Sequence, residues 1–232
     1  MKMKAKTRQP VELLITGDGS HTLHVPGLHE NYHSVYGAIA ESRHIFIGAG
    51  LNFVIQKNKR VKILEIGFGT GLNALLTYIE SVKDDIYVNY TSIELFPLAE
   101  KVYSKLNYAE MIDFPGAADV FRQIHSCPWN KKIQLSDNFH LHKIHASLSD
   151  YQPGKEEFDL VYFDAFGPDV QPEMWSQEVF MKMAIALNTN GVLVTYSTKG
   201  TVKRNLETEG FSIEKLPGPE GKREILRAMK TT

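Results

Sequence analysis

The fold is decided by the stretch LEIGFGTGL at residues 64–72. An apolar, strand-like run ends here, three glycines follow at alternate positions, and a helix-like stretch begins at Leu72. Glycines make a tight turn and let a ligand approach the backbone closely, and the first turn of the helix adds free N–H groups. This strand–turn–helix joint predicts a ligand site at the carboxyl end of the strand, with an ordinary structural turn as the alternative.

The glycine spacing favours a nucleoside cofactor over a dinucleotide. A dinucleotide fingerprint reads G-x-G-x-x-G, and its last glycine would fall at position 72, which is Leu72. The observed pattern is G-x-G-x-G from Gly67 to Gly71, with Glu65 two residues ahead of it. This arrangement matches the first motif of class I methyltransferases, in which the loop lies against the methionine and ribose portions of the cofactor.

A second acidic residue supports a nucleoside. Glu94 ends the next strand-like run, where a carboxylate can accept hydrogen bonds from both ribose hydroxyls. Methyltransferases and nicotinamide enzymes share this feature, so it indicates a ribose and does not identify the reaction. The alternative is that Glu94 only caps a helix beginning near Pro97.

The wider pattern predicts an α/β fold with a mostly parallel, seven-stranded sheet, since strand-like and helix-like stretches alternate from about residue 61. The expected strands are residues 61–66, 87–94, 139–146, 158–164, 191–196, 211–216 and 224–229. The expected helices are residues 72–81, 97–106, 172–187 and 202–209, the third of them stopped by Asn190 and Gly191. A Pro- and Gly-rich loop joins the last two strands, so they should form an antiparallel hairpin.

Residues 1–58 do not follow this alternation and are expected to form a small N-terminal appendage that caps the substrate side. Residues 13–15 and 22–25 flank a Gly-Asp-Gly turn and read as a hairpin. A helix is expected within 34–46. The methyltransferase-like domain is then expected to span 59–232.

Composition restricts the class of protein. The 232 residues are 43% hydrophobic and 23% charged, as in an ordinary globular domain. The single cysteine, Cys127, cannot form an intrachain disulfide and suits a reducing, cytoplasmic compartment. No apolar run approaches the ~20 residues that span a bilayer, and no apolar segment follows the basic N-terminus as in a signal peptide. With a net charge of −1, any nucleic-acid contact requires a local basic patch.

The motif DAFGP at residues 164–168 follows the predicted central strand, beside the glycine loop, where a methyl acceptor should lie. Asp164 offers a carboxylate, Phe166 an aromatic face, and the turn its carbonyls. An amine must be neutral and oriented to attack, and the positive charge that develops on nitrogen is stabilised by a carboxylate or an aromatic ring. The motif is analogous to the Asp/Asn-Pro-Pro-aromatic motif of amino-methyltransferases. The alternative is that Asp164 is a turn residue.

Three histidines, His140, His142 and His145, are expected to lie on a strand, the first two on one face and the third on the other. No cysteine and no H-E-x-x-H pattern accompanies them. They are therefore interpreted as a polar strand face, and no metal site is expected.

Six stretches together resemble the MnmC-like methyltransferase family, which comprises the methyltransferase domain of a bifunctional tRNA wobble-uridine enzyme and its stand-alone relatives. They are AESRHIF at 40–46, EIGFGTGLN at 65–73, ELFPL at 94–98, DAFGP at 164–168, PEMW at 172–175 and GKREIL at 221–226. The resemblance runs from about residue 17 to the end, and the pairing of Asp-x-Phe-x-Pro with Pro-x-Met-Trp is its specific element.

The resemblance implies a Rossmann-like class I fold that uses S-adenosyl-L-methionine (SAM) to methylate the aminomethyl side arm of a wobble uridine. The product would be a 5-methylaminomethyl-uridine, typically 2-thiolated. By this analogy Asp164 and Phe166 are catalytic, and the residues expected to bind the cofactor are Glu41, Glu65, Gly67, Gly69, Thr70, Gly71, Asn73, Glu94, Ser147 and Asp164. The family often has Gly-Asp after the third strand. Here Ala146 and Ser147 stand there, so the adenine contacts are open.

The implied partner is tRNA, and the residues expected to contact it are Pro168, Lys199, Lys203, Arg204, Lys222 and Arg223. A solvated charged face is the alternative for these basic residues. No counterpart of the flavin oxidase half is present in the sequence, which implies that a separate enzyme supplies the aminomethyl precursor.

Three other functions remain open at this point. The near-neutral charge favours a methyltransferase acting on a small-molecule or protein amine, although the DAFGP motif disfavours it. A nicotinamide oxidoreductase is disfavoured by Leu72 in place of the third glycine, and a non-catalytic nucleoside-binding module by the intact motif at 164–168.

Overall fold

The computed structural model describes residues 10–231, so residues 1–9 and 232 of the two expected segments lie outside the described residues. The strands are β1 Glu12–Ile15, β2 His21–Val25, β3 Glu30–Asn31, β4 Arg60–Ile66, β5 Tyr87–Glu94, β6 Lys132–Ser136, β7 Phe139–His145, β8 Phe158–Phe163, β9 Leu187–Thr195, β10 Phe211–Pro217 and β11 Glu224–Lys230. The α-helices are α1 Ala38–Ser42, α2 Asn52–Val54, α3 Leu72–Lys83, α4 Glu100–Tyr103, α5 Tyr108–Met111, α6 Ala117–Ser126, α7 Gln177–Ala186 and α8 Gly200–Thr208. A π-helical segment, Arg43–Leu51, joins α1 to α2, and Pro172–Trp175 form a 3-10 turn.

The central sheet has eight strands in the order β10-β11-β9-β8-β4-β5-β7-β6. The five inner strands from β9 to β7 pair in parallel, whereas β6, β11 and β10 pair antiparallel to their neighbours. The mostly parallel α/β fold and the C-terminal hairpin are thus confirmed. The strand beyond the seven expected ones is β6, a short edge strand without a buried residue. Its two apolar residues, Ile133 and Leu135, are too few to mark a strand by alternation.

Both faces of this sheet are covered. Alternate residues of β4 enter opposite cores: Ile63 lies in one and Leu64 in the other. Strands buried on both faces read as continuous apolar runs, which is why β4 and β8 were recognisable in the sequence. Within residues 10–231, no helix has the length and apolar character that crossing a bilayer requires.

Two expected helices differ from the structure. Of residues 97–106 only Glu100–Tyr103 are α-helical, and residues 172–187 divide into the 3-10 turn and α7. Asn190, expected to end a helix, instead lies inside β9 with φ 64°, where the β8–β9 register shifts. Asparagine tolerates this left-handed conformation, which occurs at strand irregularities as well as in turns.

The N-terminal residues form a three-stranded antiparallel sheet, β1-β2-β3, which confirms the expected hairpin. The helix expected within 34–46 begins at Ala38 and continues through the π-helical segment. That segment packs on the central sheet: a Cβ at Gly50 would lie 3.0 Å from Val194 and 3.2 Å from Tyr162. The boundary between an appendage at 1–58 and a domain at 59–232 remains a prediction.

Candidate active site

The glycine loop after β4 adopts backbone angles that favour glycine. Gly67, Gly69 and Gly71 have φ of 92°, 49° and 73°. A Cβ at Gly67 would meet the carbonyl oxygen of Asp164 at 2.6 Å, and one at Gly71 would meet Nε2 of His125 at 2.9 Å. The glycines therefore also allow the loop to pack closely against the end of β8 and against α6.

Glu94, at the end of β5, faces this loop. Its Oε2 accepts a hydrogen bond from the backbone N–H of Gly69 at 3.0 Å, and its Oε1 accepts one from Phe96 at 2.7 Å. Two backbone donors fix the carboxylate, and each oxygen retains a lone pair for a hydroxyl group. The arrangement fits the ribose of a nucleoside cofactor. Because α4 begins only at Glu100, capping of a helix does not account for Glu94.

Glu65 lies beneath the loop and is fully buried. Its Oε2 accepts a hydrogen bond from Ser92 at 2.6 Å. Burial raises the pKa of Glu65 to about 8, against the hydrogen bond from Ser92 and with the help of the charge on Asp164. Oε1 of Glu65 and Oδ1 of Asn73 are buried without a hydrogen-bond partner in the part of the chain that is described. The orphaned amide oxygen of Asn73 is a free hydrogen-bond acceptor beside the glycine loop.

Asp164 stands directly after β8, where its backbone N–H donates to the carbonyl of Ile66 at 3.0 Å. Its Oδ2 accepts a hydrogen bond from Nδ2 of Asn73, in the first turn of α3, at 2.9 Å. Burial among protein atoms and then the charge on Glu41 raise the pKa of Asp164 to about 7, against the opposing effects of Asn73 and Lys222. Near neutral pH this carboxyl can therefore both hold and release a proton.

The DAFGP loop is held by two aromatic side chains. Nε1 of Trp175 donates to the carbonyl of Phe166, and the hydroxyl of Tyr196 donates to the carbonyl of Ala165, both at 2.8 Å. Trp175 is buried, as a packing residue should be. These two carbonyls are thus engaged in fixing the loop, which leaves Asp164 as its main polar group.

The N-terminal segment covers this loop. The ring of Tyr32 lies edge-on to Phe166 with centroids 5.0 Å apart. A Cβ atom added to Gly69 would lie 3.1 Å from Cδ1 of that ring. A Cβ atom added to Gly167 would lie 3.7 Å from Oε1 of Glu30. Sequence reasoning missed Tyr32 and Glu30, because no local motif marks them. The interpretation of this segment as a cap on the substrate side remains a prediction.

Glu41 also reaches the site, from α1. Its Oε2 accepts from the backbone N–H of Ser34 at 2.7 Å, and its Oε1 lies 3.4 Å from Nζ of Lys222. Nζ of Lys222 lies 5.1 Å from the ring centroid of Tyr196. Tyr196 was another missed residue, although it directly follows the carboxyl end of β9, a position at which parallel sheets carry functional side chains.

Several carboxylates therefore converge here. Burial raises the pKa of the Tyr196 hydroxyl, and the charges of Asp164, Glu30 and Glu41 raise it further. An entrance to a site that is lined by carboxylates and aromatic rings attracts cations. It suits an acceptor that arrives as an ammonium group.

The remaining predicted residues are more dispersed. The hydroxyl of Thr70 faces buried His33 at 3.4 Å, and that of Ser147 bonds to Ser149 and Asp150, both at 2.7 Å, within its own turn. In the loop after β8, Pro168 is half-buried.

The basic residues expected to contact tRNA divide into groups. Lys199 forms an ion pair with Asp169. The Arg204 guanidinium folds back on its own helix, so that a Cβ atom added to Gly200 would lie 3.1 Å from it. The hydrogen bond from Lys215, and more weakly the charges of Arg223 and Lys203, lower the pKa of the Glu224 carboxyl, so charges of α8 and of the last hairpin lie near one carboxylate. Lys222 instead points at Glu41.

His140 and His142 share one face of β7, opposite Lys143 and His145, as expected from strand alternation. Among residues 10–231 no group of three His, Cys, Asp or Glu side chains is arranged to hold a metal ion.

Comparison with known proteins identifies the family of the chain. Residues 113–231, half of the chain, match the family described as S-adenosyl-L-methionine-dependent methyltransferase. A crystal structure of MNMC2 from Aquifex aeolicus is similar with a TM-score of 0.76 at 25% identity, covering 96% of this chain and 71% of that one.

Two curated relatives carry the name tRNA 5-methylaminomethyl-2-thiouridine biosynthesis bifunctional protein MnmC. The relative from Campylobacter hominis is 30% identical over 202 residues, which are 86% of this chain and 29% of that protein. The relative from Cupriavidus metallidurans is 30% identical over 230 residues, 94% of this chain and 33% of that protein. The chain thus spans about a third of the length of the curated relatives it matches. It belongs to the S-adenosyl-L-methionine-dependent methyltransferase family, and SAM is its cofactor.

Proposed function

We propose that the chain methylates the aminomethyl group of a wobble uridine in tRNA, converting 5-aminomethyl-2-thiouridine to 5-methylaminomethyl-2-thiouridine. The observation that carries the proposal is Asp164, which lies beside the glycine loop with its pKa raised to about 7 and with Glu41 close by. The names of the curated relatives point to this nucleoside. Membership in this family excludes the alternative of a nicotinamide oxidoreductase, which Leu72 already disfavoured.

In this proposal Glu94 and the glycine loop hold the cofactor, together with Asn73. Glu94 receives the ribose hydroxyls, while Gly67, Gly69 and Gly71 allow the backbone to follow the methionine portion. Bound SAM supplies an electrophilic methyl group on a positively charged sulfur. Glu65 supports the loop from below and stays protonated at neutral pH, since its pKa is about 8.

On the acceptor side the amine enters between Asp164 and the rings of Phe166 and Tyr32. It must lose a proton before its lone pair can attack; the carboxylate of Asp164 takes that proton, passes it to solvent, and then accepts a hydrogen bond from a remaining N–H. This hydrogen bond would direct the lone pair at the methyl group that bound SAM would supply. The secondary ammonium that forms is stabilised by Asp164 and the rings and releases its extra proton to solvent.

For tRNA, the proposed contacts are Lys203 and Arg223, with Lys199, Arg204 and Pro168 nearby. Phosphate contacts carry much of nucleic-acid affinity, so a local basic group can act despite a net charge of −1. The proposal also includes a cytoplasmic site of action and a separate enzyme that makes the aminomethyl precursor. The low net charge favours one second candidate, methylation of a small-molecule or protein amine.

The test incubates purified protein with methyl-labelled SAM and bulk tRNA from cells that lack this enzyme. Label retained by tRNA and released by ribonuclease is the expected result. Label that survives ribonuclease in a protein or small-molecule fraction would favour the second candidate. Cofactor binding without any label in tRNA, when the aminomethyl precursor has been detected in that tRNA, would contradict the proposal. The non-catalytic alternative predicts no labelled product at all.

A further inference from the structure

The loop between β10 and β11 carries a lysine into the mouth of the site. The loop is a compact turn: Gly218 N–H donates to the carbonyl of Arg223 at 3.1 Å, and Lys222 N–H donates to that of Pro219 at 2.9 Å. The turn directs the Lys222 side chain inward, and only 29% of that side chain is exposed.

Two contacts fix the loop to the N-terminal segment. Nε2 of His44, in the π-helical segment, lies 2.7 Å from the carbonyl oxygen of Pro217. Gly221, with φ 80°, packs directly against the ring of Tyr36. A side chain at Gly221 would collide with that ring. The backbone around Lys222 is therefore positioned by packing and does not depend on the ion pair that its ammonium group makes.

The surroundings of Nζ are those of an alkylammonium site. Oε1 of Glu41 lies at 3.4 Å, and the Glu41 side chain is only 10% exposed. The face of Tyr196 lies at 5.1 Å from Nζ, within the range of a cation–π contact. The charge of Lys222 also lowers the pKa of Asp164, against the larger effects of burial and of the charge on Glu41.

A lysine side chain ends in –CH₂–NH₃⁺, and an aminomethyl group on a uracil ring is the same terminal group. We propose that Lys222 is an internal occupant of the acceptor-amine position, which the incoming aminomethyl group takes by displacing Nζ from Glu41. The inference rests on the proposed function, because that function supplies an acceptor of this chemical class. It assigns Glu41 to the acceptor amine in addition to the cofactor contact expected from the sequence.

The displacement exchanges one ammonium group for another. The negative charge of the site's carboxylates is therefore balanced by a cation both with and without substrate. A neutral acceptor group gains nothing from displacing Lys222, since it would leave Glu41 and Asp164 without a cation. The lysine thus contributes selectivity for amines, and it weakens the binding of every amine that competes with it.

Removal of the competing ammonium should therefore open the site to small amines. Benzylamine, an arylmethyl ammonium ion, is titrated calorimetrically into protein saturated with S-adenosylhomocysteine. Lys222→Met should bind benzylamine about tenfold or more tightly than the wild type, as expected when a direct ionic competitor is lost. Lys215→Met is the matched control, because Lys215 lies on the same hairpin but pairs with Glu224 at 3.0 Å. It should bind like the wild type.

The second variant combines Glu41→Gln with Lys222→Met, and in it the gain in benzylamine affinity should disappear. Equal benzylamine affinity in wild type and Lys222→Met, or a gain that persists without Glu41, would overturn the assignment, provided that thermal unfolding shows the variants to be folded. These titrations need no tRNA, so they are decided independently of the proposed function. With tRNA as acceptor, Lys222→Met should lower KM. A fall in kcat at unchanged KM would mean that Lys222 assists the chemistry instead.

Discussion

Asn73 donates its side-chain amide to Oδ2 of Asp164 across 2.9 Å, joining the first turn of α3 to the end of β8. One of these elements begins at the glycine loop, the proposed cofactor site, and the other carries the proposed acceptor motif. The hydrogen bond therefore ties the position of the proposed base to the loop that is proposed to hold the methyl donor. Asp164 is oriented before the acceptor arrives, which reduces the entropy that must be lost in reaching the reactive geometry.

Replacement of Asp164 by alanine should abolish turnover and preserve the cofactor site. We expect kcat to fall by roughly 10²-fold or more, the usual contribution of a positioned general base. The Kd for SAM should change little, because Glu94 and the glycine loop are untouched. Single-turnover methyl transfer and calorimetry measure the two quantities. Asp164→Asn keeps the shape of the side chain and should be nearly as inactive. Undiminished turnover in either variant would remove Asp164 from the mechanism.

The pH profile should depend on Asn73. If ionised Asp164 is the active form, kcat rises with pH through about 7, the pKa of that carboxyl. The hydrogen bond from Asn73 stabilises the charged form, so Asn73→Ala should raise this pKa and move the acidic limb of the profile to higher pH. Asn188→Ala is the control, because Asn188 makes a similar bond to Asp159 at 2.7 Å away from the site. An unshifted limb in Asn73→Ala would contradict the coupling.

Glu94→Gln should weaken cofactor binding with little effect on the fold. The amide keeps one acceptor oxygen but loses the charge, and hydrogen bonds to charged groups contribute about 1.5–3 kcal/mol. The Kd for SAM should therefore rise by roughly tenfold or more, as measured by calorimetry. Glu100→Gln, an identical change in exposed α4, is the control. A Kd equal to that of the wild type would show that Glu94 does not receive the ribose.

Glu65 should make stability depend on pH. Its pKa is raised to about 8 in the folded chain from a model-compound value of 4.5, so between these values the folded state holds a proton that the unfolded state has lost. The free energy of unfolding should then fall with rising pH across this window, by up to about 1.4 kcal/mol per pH unit, and level off above it. In Glu65→Gln this contribution is absent. Urea unfolding of both proteins from pH 5 to pH 9 tests this, and a pH-independent difference between them would refute it.

The basic group of α8 and the last hairpin should govern the affinity for tRNA. Lys203→Ala is expected to weaken tRNA binding and to reduce the slope of log affinity against log salt by about 1, as for the loss of one phosphate contact. Lys83→Ala, at the far end of α3 from the glycine loop, is the matched control. Filter binding at several salt concentrations gives both slopes. Equal slopes would place the tRNA surface elsewhere.

The sequence predicts those parts of the site whose signals are local. Glu94 and Asp164 end buried strands, and parallel strands bring such ends to one edge, so their proximity follows from the pattern alone. The edge strand β6 carries no such pattern. Tyr32 and Lys222 reach the site only through tertiary packing, the first from the N-terminal segment and the second through a turn in the last hairpin. The orientation of Lys222 depends on Tyr36 and other distant residues, which no local pattern encodes.

The central claim is that the methyl acceptor is the aminomethyl group of the wobble uridine, and nucleoside analysis tests it most directly. Transfer RNA that carries the precursor is treated with SAM and either wild-type protein or Asp164→Ala, then digested to nucleosides and analysed by mass spectrometry. We predict that 5-aminomethyl-2-thiouridine gains the mass of one methyl group with the wild type only. An unchanged wobble nucleoside after treatment with cofactor-binding wild-type protein would contradict the claim.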